Sequence, residues 1–261
     1  MRNFTFKGLL LTAVFMLLGC LSIQAANDDL ITKQITIKLD KAGTLPDRIA
    51  SSKKYKITNL KIVGEVNGTD LKFIREMAGC DVNGKETDGK LSILDLSDAK
   101  IVEGGSAYYS DRDDGFICTS NDKLGDYVFN GCSGLTSLTL PSSVTAIGSQ
   151  AFKHCSGLTS IYVYMEKLPE TGSNLFLGCD EKNCTVYVPK GTGDAYFRSA
   201  EFGYFYNIVE FDATGIDKVA TSADVKEVSR YSANGQRLSA PAKGLNIVKY
   251  SDGSVKKVVV Q

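Results

Sequence analysis

The sequence has no tryptophan, a single histidine and no excess of charge, because 30 lysine and arginine residues balance 30 aspartate and glutamate residues. A protein without a net positive field lacks the attraction that draws nucleic acid to a binding surface. We therefore expect no nucleic-acid partner. The aromatic content comes from 12 tyrosine and 12 phenylalanine residues instead.

Recognisable catalytic motifs are also missing. No G-x-S-x-G, H-E-x-x-H, phosphate-binding loop or dinucleotide-binding fingerprint occurs in the chain. His154 stands beside Cys155, but neighbours in sequence need not face one another as a nucleophile and its base must. We predict an exposed turn at His154, no catalytic residues and no cofactor. A glycosidase with two carboxylates on unrelated loops is the enzymatic alternative.

Long apolar runs are scarce, and the one at residues 9–18 is too short to span a bilayer. It follows Arg2 and Lys7 and precedes Ala25 and Ala26, the layout of a secretory signal peptide. The sequence thus predicts that residues 1–26 direct export to the cell surface or beyond. Residues 17–20, Leu-Leu-Gly-Cys, resemble a lipobox, so lipidation of Cys20 is the alternative and would be the one link to a membrane.

Residues 124–189 repeat one pattern three times. Phe129 recurs 23 residues later as Phe152, and Phe176 follows 24 residues after that. A fixed period in the twenties is typical of a solenoid, whose units cannot bury their apolar faces alone. Within each unit an L-x-x-L-x-L run predicts a strand of a parallel sheet. The AF-x-x-C half predicts a helical turn on the opposite wall. The strand spacing recurs around Leu60 and Leu94, so we expect at least five rungs.

The phrases YVFNGCSGLTSLTLPSSVTAIGSQAFKHCSGLTSIYV and CTVYVPKGTGDAYF resemble the BspA-like leucine-rich repeat proteins, surface proteins of Gram-negative anaerobes. The resemblance implies a curved α/β solenoid over residues 27–211, with a parallel β-sheet on its concave face. It also implies adhesion to a host or microbial protein or glycan. A structural element of the cell envelope without a ligand is the non-binding alternative. We expect a monomer.

The C-terminal composition changes twice. Residues 212–224 are rich in Ala, Thr, Gly and Ser and predict a linker. Residues 225–261 predict a small all-β domain. Its phrases RYSANGQRL and KGLNIVKYSDGSVKKVVVQ resemble the C-terminal sorting domains of the type IX secretion system, and a plain β appendage is the alternative.

The residues between the leucines of each strand point outward onto the sheet face. Applying the register predicts two outward columns, the first with Lys61, Asp95, Thr139, Tyr162 and Tyr187, and the second with Asn59, Ile93, Ser137, Ser160 and Thr185. Adjacent tyrosines in the first column predict an aromatic platform of the kind enriched at recognition hot spots. We therefore predict ligand contacts at Tyr162, Tyr187, Thr139 and Asp95. An ordinary cross-strand pair is the alternative.

The insertion at residues 102–123 is longer than a repeat connection needs, and long loops are often functional. Its Tyr108 and Tyr109 either form a contact patch or cover an edge of the core. Two acidic loops imitate calcium sites, but Lys85 and Phe116 stand where a ligand and a glycine are required. We predict no metal site.

The cysteines divide into two groups. Cys132, Cys155 and Cys179 share one register and should stack inward. Parallel Cβ vectors on neighbouring coils hold them beyond disulfide distance, so we predict free thiols. Cys80, Cys118 and Cys184 fall outside this ladder, and any disulfide should involve them.

Overall fold

The computed structural model of the protein describes residues 30–213, 227–232, 236–250 and 255–260. The predicted signal peptide, with Cys20, and most of the predicted linker lie outside these residues. The chain divides into two compact units, of which the first ends at Phe211 and the second begins at Asp212.

The strands of the described residues are, in chain order, β1 (Ile35–Leu39), β2 (Asn59–Val66), β3 (Ile93–Ile101), β4 (Gly104–Asp111), β5 (Gly115–Thr119), β6 (Lys123–Leu124), β7 (Ser137–Thr139), β8 (Ala146–Ile147), β9 (Ser160–Tyr162), β10 (Glu170–Thr171), β11 (Thr185–Pro189), β12 (Asn207–Phe211), β13 (Glu227–Ser232), β14 (Arg237–Leu238), β15 (Gly244–Tyr250) and β16 (Val255–Val260). The α-helices are α1 (Leu45–Arg48), α2 (Ser51–Lys54), α3 (Gly68–Met77) and α4 (Gly193–Phe197).

One wall of the first unit is a seven-stranded sheet in the order β1-β2-β3-β7-β9-β11-β12. Every neighbouring pair in it is parallel. Leu94 lies opposite Leu60 and Leu138, and Leu138 lies opposite Ile161, so each rung places its leucine position beside the next. These pairings confirm the predicted register, and the stacked parallel strands fit a solenoid-like fold.

A second wall is a small parallel sheet of β6, β8 and β10, which the sequence did not predict. The AF-x-x-C segments next to it are single hydrogen-bonded turns rather than helices, because the Cys132 and Cys155 amides donate to the carbonyls three residues earlier. The Phe129 amide donates to the Ala151 carbonyl of the following coil at 2.7 Å. Backbone hydrogen bonds between successive coils therefore hold this wall together.

The core between the walls contains a stack of phenylalanines. The ring centroids of Phe129 and Phe152 lie 6.2 Å apart, and those of Phe152 and Phe176 lie 5.3 Å apart, with nearly parallel planes. Phe202 and Phe205 pack edge-on against Phe176 at 5.2 and 4.8 Å and cover the end of the stack. Phe202 lies in a short 3-10 turn at Phe202–Tyr204, and the last strand starts three residues after that turn, at Asn207.

The N-terminal rungs carry α3, whose inward face is buried at Leu71, Ile74 and Met77. Its N-cap is Asn67. Asp70 is fully buried and completes the capping box by accepting from the Asn67 amide at 3.0 Å. Its carboxylate also accepts from the amides of Gly43 at 2.6 Å and Leu45 at 2.9 Å. One buried carboxylate therefore ties α3 to the segment around α1.

The six described cysteines are all free thiols. In the ladder, the Cys155 thiol donates to the Phe129 carbonyl at 3.1 Å and the Cys179 thiol donates to the Phe152 carbonyl at 3.2 Å. Each sulfur thus points to the backbone of the preceding coil, which confirms the prediction of unbridged cysteines there. Cys80, Cys118 and Cys184 form no disulfide either.

The second unit contains an antiparallel four-stranded sheet in the order β14-β13-β15-β16. Arg230 of β13 pairs with Glu227 at 2.6 Å and with the Asn246 side chain at 3.0 Å. A sorting role for this unit stays a prediction. No helix within the described ranges has the length and apolar character needed to cross a membrane.

Candidate functional site

The first outward column lies along one face of the seven-stranded sheet. Lys61 pairs with Asp95, Asp95 with Thr139, Thr139 with Tyr162, and Tyr162 with Tyr187. The column continues to Thr36 on β1 and to Val209 on β12. All residues predicted to be neighbours in this column are therefore paired in the sheet. The same register, extended to β1 and β12, also indicates the two end positions.

The second column lies beside it, with neighbouring positions at Asn59, Ile93, Ser137, Ser160 and Thr185. Asn59 is almost completely buried, and its side-chain oxygen has no hydrogen-bond partner. The other polar members are half-buried and small. This column therefore offers few large side chains to a ligand.

An aromatic cluster, consisting of Tyr162, Tyr164, Tyr187 and Phe211, occupies one end of the face. The Tyr162 and Tyr187 rings stack with centroids 4.5 Å apart and planes 7° apart. Phe211 packs edge-on against Tyr162 at 6.5 Å and Tyr164 at 5.1 Å. Sequence reasoning missed Tyr164 and Phe211. Each lies two residues beyond an outward column residue, so extending the strand alternation by one step would have indicated both.

In the stacked pair, one face of each ring is covered by the other ring. Tyr162 is flanked along the column by Thr139 and Tyr187, and Tyr187 is flanked by Tyr162 and Val209. The cluster thus offers hydroxyls and ring edges for recognition.

The hydroxyls of Tyr162, Tyr164 and Tyr187 have no hydrogen-bond partner in the part of the chain that the structure describes, and none of them is sealed from solvent. Burial, aided by the neighbouring Tyr187, raises the pKa of Tyr162 to about 12. Burial also raises the pKa of Tyr164, with the charge of Asp95 as the next cause. The Tyr162 and Tyr164 hydroxyls therefore stay protonated at neutral pH, and a protonated hydroxyl can both donate and accept a hydrogen bond.

The other end of the face carries a charged cluster of Lys61, Asp95 and Asp98. The Lys61 ammonium lies 3.0 Å from Asp95, 2.8 Å from Asp98 and 3.0 Å from the Ser97 hydroxyl. Burial disfavours the ammonium, but the bonds to Asp98 and Asp95 outweigh it and raise the pKa of Lys61. Two carboxylates and one ammonium give this cluster itself a net negative charge, and the exposed Lys38 of β1 lies in the same row as Asp98. Thr139 separates the charged cluster from the aromatic cluster and is 7% exposed.

Tyr108 and Tyr109 belong to the β4–β5 hairpin, which packs against α3 rather than on the sheet face. Tyr108 is fully buried, and its hydroxyl donates to the Asp126 carbonyl at 2.9 Å. It therefore covers an edge of the core, and its expected place in a contact patch is wrong. Tyr109 is half-buried and stacks on Tyr127 with centroids 4.9 Å apart.

The acidic loops are turns that aspartate side chains stabilise. Asp81 accepts from the amides of Asn83 and Lys85, and Asp111 accepts from the amide of Asp113. Across the residues described, no group of three or more histidine, cysteine, aspartate or glutamate side chains is placed to hold a metal ion. His154 is exposed on a turn, as predicted.

Residues 116–223 match the family model of the BspA type leucine rich repeat region in six copies. The match supports a BspA-like leucine-rich repeat protein and includes the strands that carry the aromatic cluster. Proteins of this type are typically surface-associated and generally non-enzymatic, and the family suggests a role in protein interaction or adhesion. No curated protein matches the chain.

Proposed function

We propose that this protein is an exported adhesion module of the cell surface, which binds a host or microbial protein or glycan on the concave face of its solenoid. The observation that carries the proposal is the aromatic cluster, where three tyrosine hydroxyls without partners stand on one face of the sheet. Hydroxyls held ready for bonding gain more from a ligand than hydroxyls that must first break internal bonds.

The cluster is rigid, which favours recognition. Tyrosine has few rotatable bonds, so little conformational entropy is lost when it contacts a ligand. The stack of Tyr162 on Tyr187 and the edge contacts of Phe211 restrict these rings further before any ligand arrives. Side chains that are already ordered lower the cost of binding.

The length of the face favours an extended ligand. The outward column runs over seven strands from Thr36 to Val209. At the usual spacing of neighbouring strands it is roughly 29 Å long. A peptide segment or an oligosaccharide of several units matches this length, and its polar groups would meet hydroxyls at one end and carboxylates at the other. Both ligand classes are therefore retained.

The first experiment is a screen of the mature chain, residues 27–261, against protein and glycan arrays, followed by affinity measurement with one hit. Replacing Tyr162 and Tyr187 together by alanine should weaken binding about tenfold or more, as expected for hot-spot aromatics. The matched control replaces Tyr204 and Tyr206, which are 63% and 73% exposed and precede β12. That control should bind like the wild type.

Two outcomes oppose the proposal. Unchanged binding by the Tyr162 and Tyr187 variant would move the site away from the aromatic cluster, with the half-buried Tyr109 of the hairpin as the next position to test. A screen without any hit would favour the structural element of the envelope.

A further inference from the structure

The balanced charge of the whole sequence hides an uneven distribution within the first unit. Its first coil, residues 30–56, contains seven lysine and arginine residues and two aspartates, which is a net charge of +5. Its last two coils, residues 165–211, contain four basic and seven acidic residues, which is a net charge of −3. Because β1 and β12 are the two end strands of the seven-stranded sheet, this unit is positive at one end and negative at the other.

The positive charges of the first coil are accessible. Five of the seven basic side chains are exposed, those of Lys33, Lys38, Lys41, Arg48 and Lys53, which we call the basic rim. None of these five side chains forms an ion pair with another residue that the structure describes. Lys54, by contrast, is held in an ion pair with Glu76 and lies 4.4 Å from the Phe73 ring centroid. The basic rim can therefore meet an anion without first breaking such a pair.

The basic rim extends around the coil rather than along one strand. Lys38 is an exposed residue of β1, and Lys33 and Lys41 lie two residues before and two residues after that strand. Arg48 is the last residue of α1, and Lys53 lies in α2. The strand, its flanking turns and both short helices thus place positive charge on the coil that ends the sheet.

Carboxylates near this end do not neutralise the basic rim. Within the coil, Asp40 and Asp47 are the two acidic residues. In the next coil, Asp70 is fully buried and bound to backbone amides. Glu65 of β2 is exposed, but it lies opposite Lys100 of β3. The first coil therefore keeps an excess of positive charge at its surface.

This end of the sheet is also where the N-terminal side of the chain meets the solenoid. The predicted export signal ends at residue 26, and in the alternative with a lipid on Cys20, nine residues separate that lipid from Leu30. The aromatic cluster lies away from this end, because β9 and β11 are four and five strands from β1 in the sheet. At the usual strand spacing these separations are about 19 and 24 Å. The two ends can thus make different contacts at the same time.

We propose that the basic rim binds the phosphate groups of anionic lipids, so that the first coil faces a membrane and the aromatic cluster stands away from it. Lysine and arginine strengthen binding when they lie near an anionic bilayer, whereas charges beyond the Debye length of ~8 Å at physiological salt are largely screened. In this orientation the acidic coils are screened, and in the reverse orientation they are repelled. The proposal rests on the proposed place of the protein at the cell surface, not on a ligand of the aromatic cluster.

The test mixes residues 27–261 with lipid vesicles and measures the bound fraction by sedimentation. The vesicles contain phosphatidylcholine alone or with about one third phosphatidylglycerol, whose phosphate gives the surface a negative charge. We expect binding to the anionic vesicles at low salt, loss of binding in about 0.5 M sodium chloride, and no binding to neutral vesicles. Absence of binding to anionic vesicles at low salt would overturn the proposal, as would equal binding to neutral ones.

Two variants remove the same charge from opposite ends of the first unit. The rim variant carries four substitutions in the first coil, Lys33→Gln, Lys38→Gln, Lys41→Gln and Arg48→Gln. The control variant carries four substitutions at exposed residues of the last two coils, Lys167→Gln, Lys182→Gln, Lys190→Gln and Arg198→Gln. Each basic residue near the surface strengthens binding about fivefold, and not all touch it at once, so the rim variant should bind about tenfold more weakly or less. The control variant should bind like the unsubstituted chain.

The other outcomes would each overturn the proposal. Equal losses in the two variants would show that net charge, rather than the basic rim, draws the protein to the bilayer. A loss confined to a variant with Arg237→Gln and Lys243→Gln, two exposed residues of the second unit, would place the lipid contact there. Binding to heparin without binding to anionic vesicles would assign the rim to an anionic glycan. None of these results changes the affinity of an array hit for the aromatic cluster, so the two sites are tested separately.

Discussion

The regular repeats and the irregular N-terminal rungs bury their backbones in different ways. From Leu138 to Ile161 one coil takes 23 residues, and amides of each coil donate to carbonyls of the next. Between Leu60 and Leu94 the coil takes 34 residues and includes α3, which needs Asp70 and Arg75 as buried polar connections. The regular coils thus bond mainly to one another along the backbone, whereas the coil with α3 is tied to its neighbours by two fully buried charged side chains.

The largest expected effect concerns the regular part. Phe152 packs between Phe129 and Phe176, so Phe152→Ala should lower the free energy of unfolding by about 3 to 5 kcal/mol. Urea denaturation of residues 27–261 measures the loss. The control is Phe116→Ala, since this side chain is 78% exposed and its removal should change stability by about 0.5 kcal/mol at most. Equal losses for the two variants would contradict the phenylalanine stack.

The next effect belongs to the irregular part. Asp70→Ala leaves three backbone amides without their carboxylate and should cost about 2 to 3 kcal/mol, because bonds to a charged acceptor are the stronger kind. Asp180→Ala is the matched control, as Asp180 accepts from two amides on an exposed turn. The same denaturation experiment should show a clearly smaller loss there. A larger loss for Asp180 would place the critical polar contact in the repeats instead.

A smaller effect is expected at a position with positive φ that recurs in the repeats. Gly131, His154 and Gly178 occupy corresponding positions, with φ of +78°, +60° and +84°. Only histidine among these carries a Cβ, which is strained in the left-handed region. We expect His154→Gly to raise the free energy of unfolding by about 0.5 to 1 kcal/mol, which thermal denaturation can detect. A lower free energy of unfolding in this variant would mean that contacts of the His154 side chain stabilise the fold by more than the backbone strain destabilises it.

The smallest effect is a pH dependence at the aromatic cluster. The pKa of Tyr162 is raised to about 12 by burial, above its ordinary value of 10. A raised pKa means that the folded state holds the proton longer, so this contribution to stability is complete below pH 10 and is lost as pH rises toward 12. Phenolate absorbance should show one late-titrating group fewer in Tyr162→Phe. An unchanged titration curve would show that burial does not raise the pKa of Tyr162.

The repeat spacing correctly predicted which residues of successive coils lie beside one another. The 23-residue spacing placed Phe129 over Phe152 and Thr139 beside Tyr162, because identical coils stack in a fixed register. It did not predict the cap at Asn67 or the bonds of Asp70 to Gly43 and Leu45, since both depend on contacts between segments without a repeat. Tyr108 was misplaced for a similar reason, as its burial depends on how the hairpin packs on α3.

The most direct test of the central claim measures affinity for an array hit after Tyr162→Phe and Tyr187→Phe are introduced together. This variant keeps the stacked rings and removes two hydroxyls that have no internal partner. Our account predicts unchanged thermal stability and a loss of affinity of about fivefold or more, as for neutral hydrogen bonds to a ligand. Wild-type affinity in this variant would contradict a binding site built on these hydroxyls.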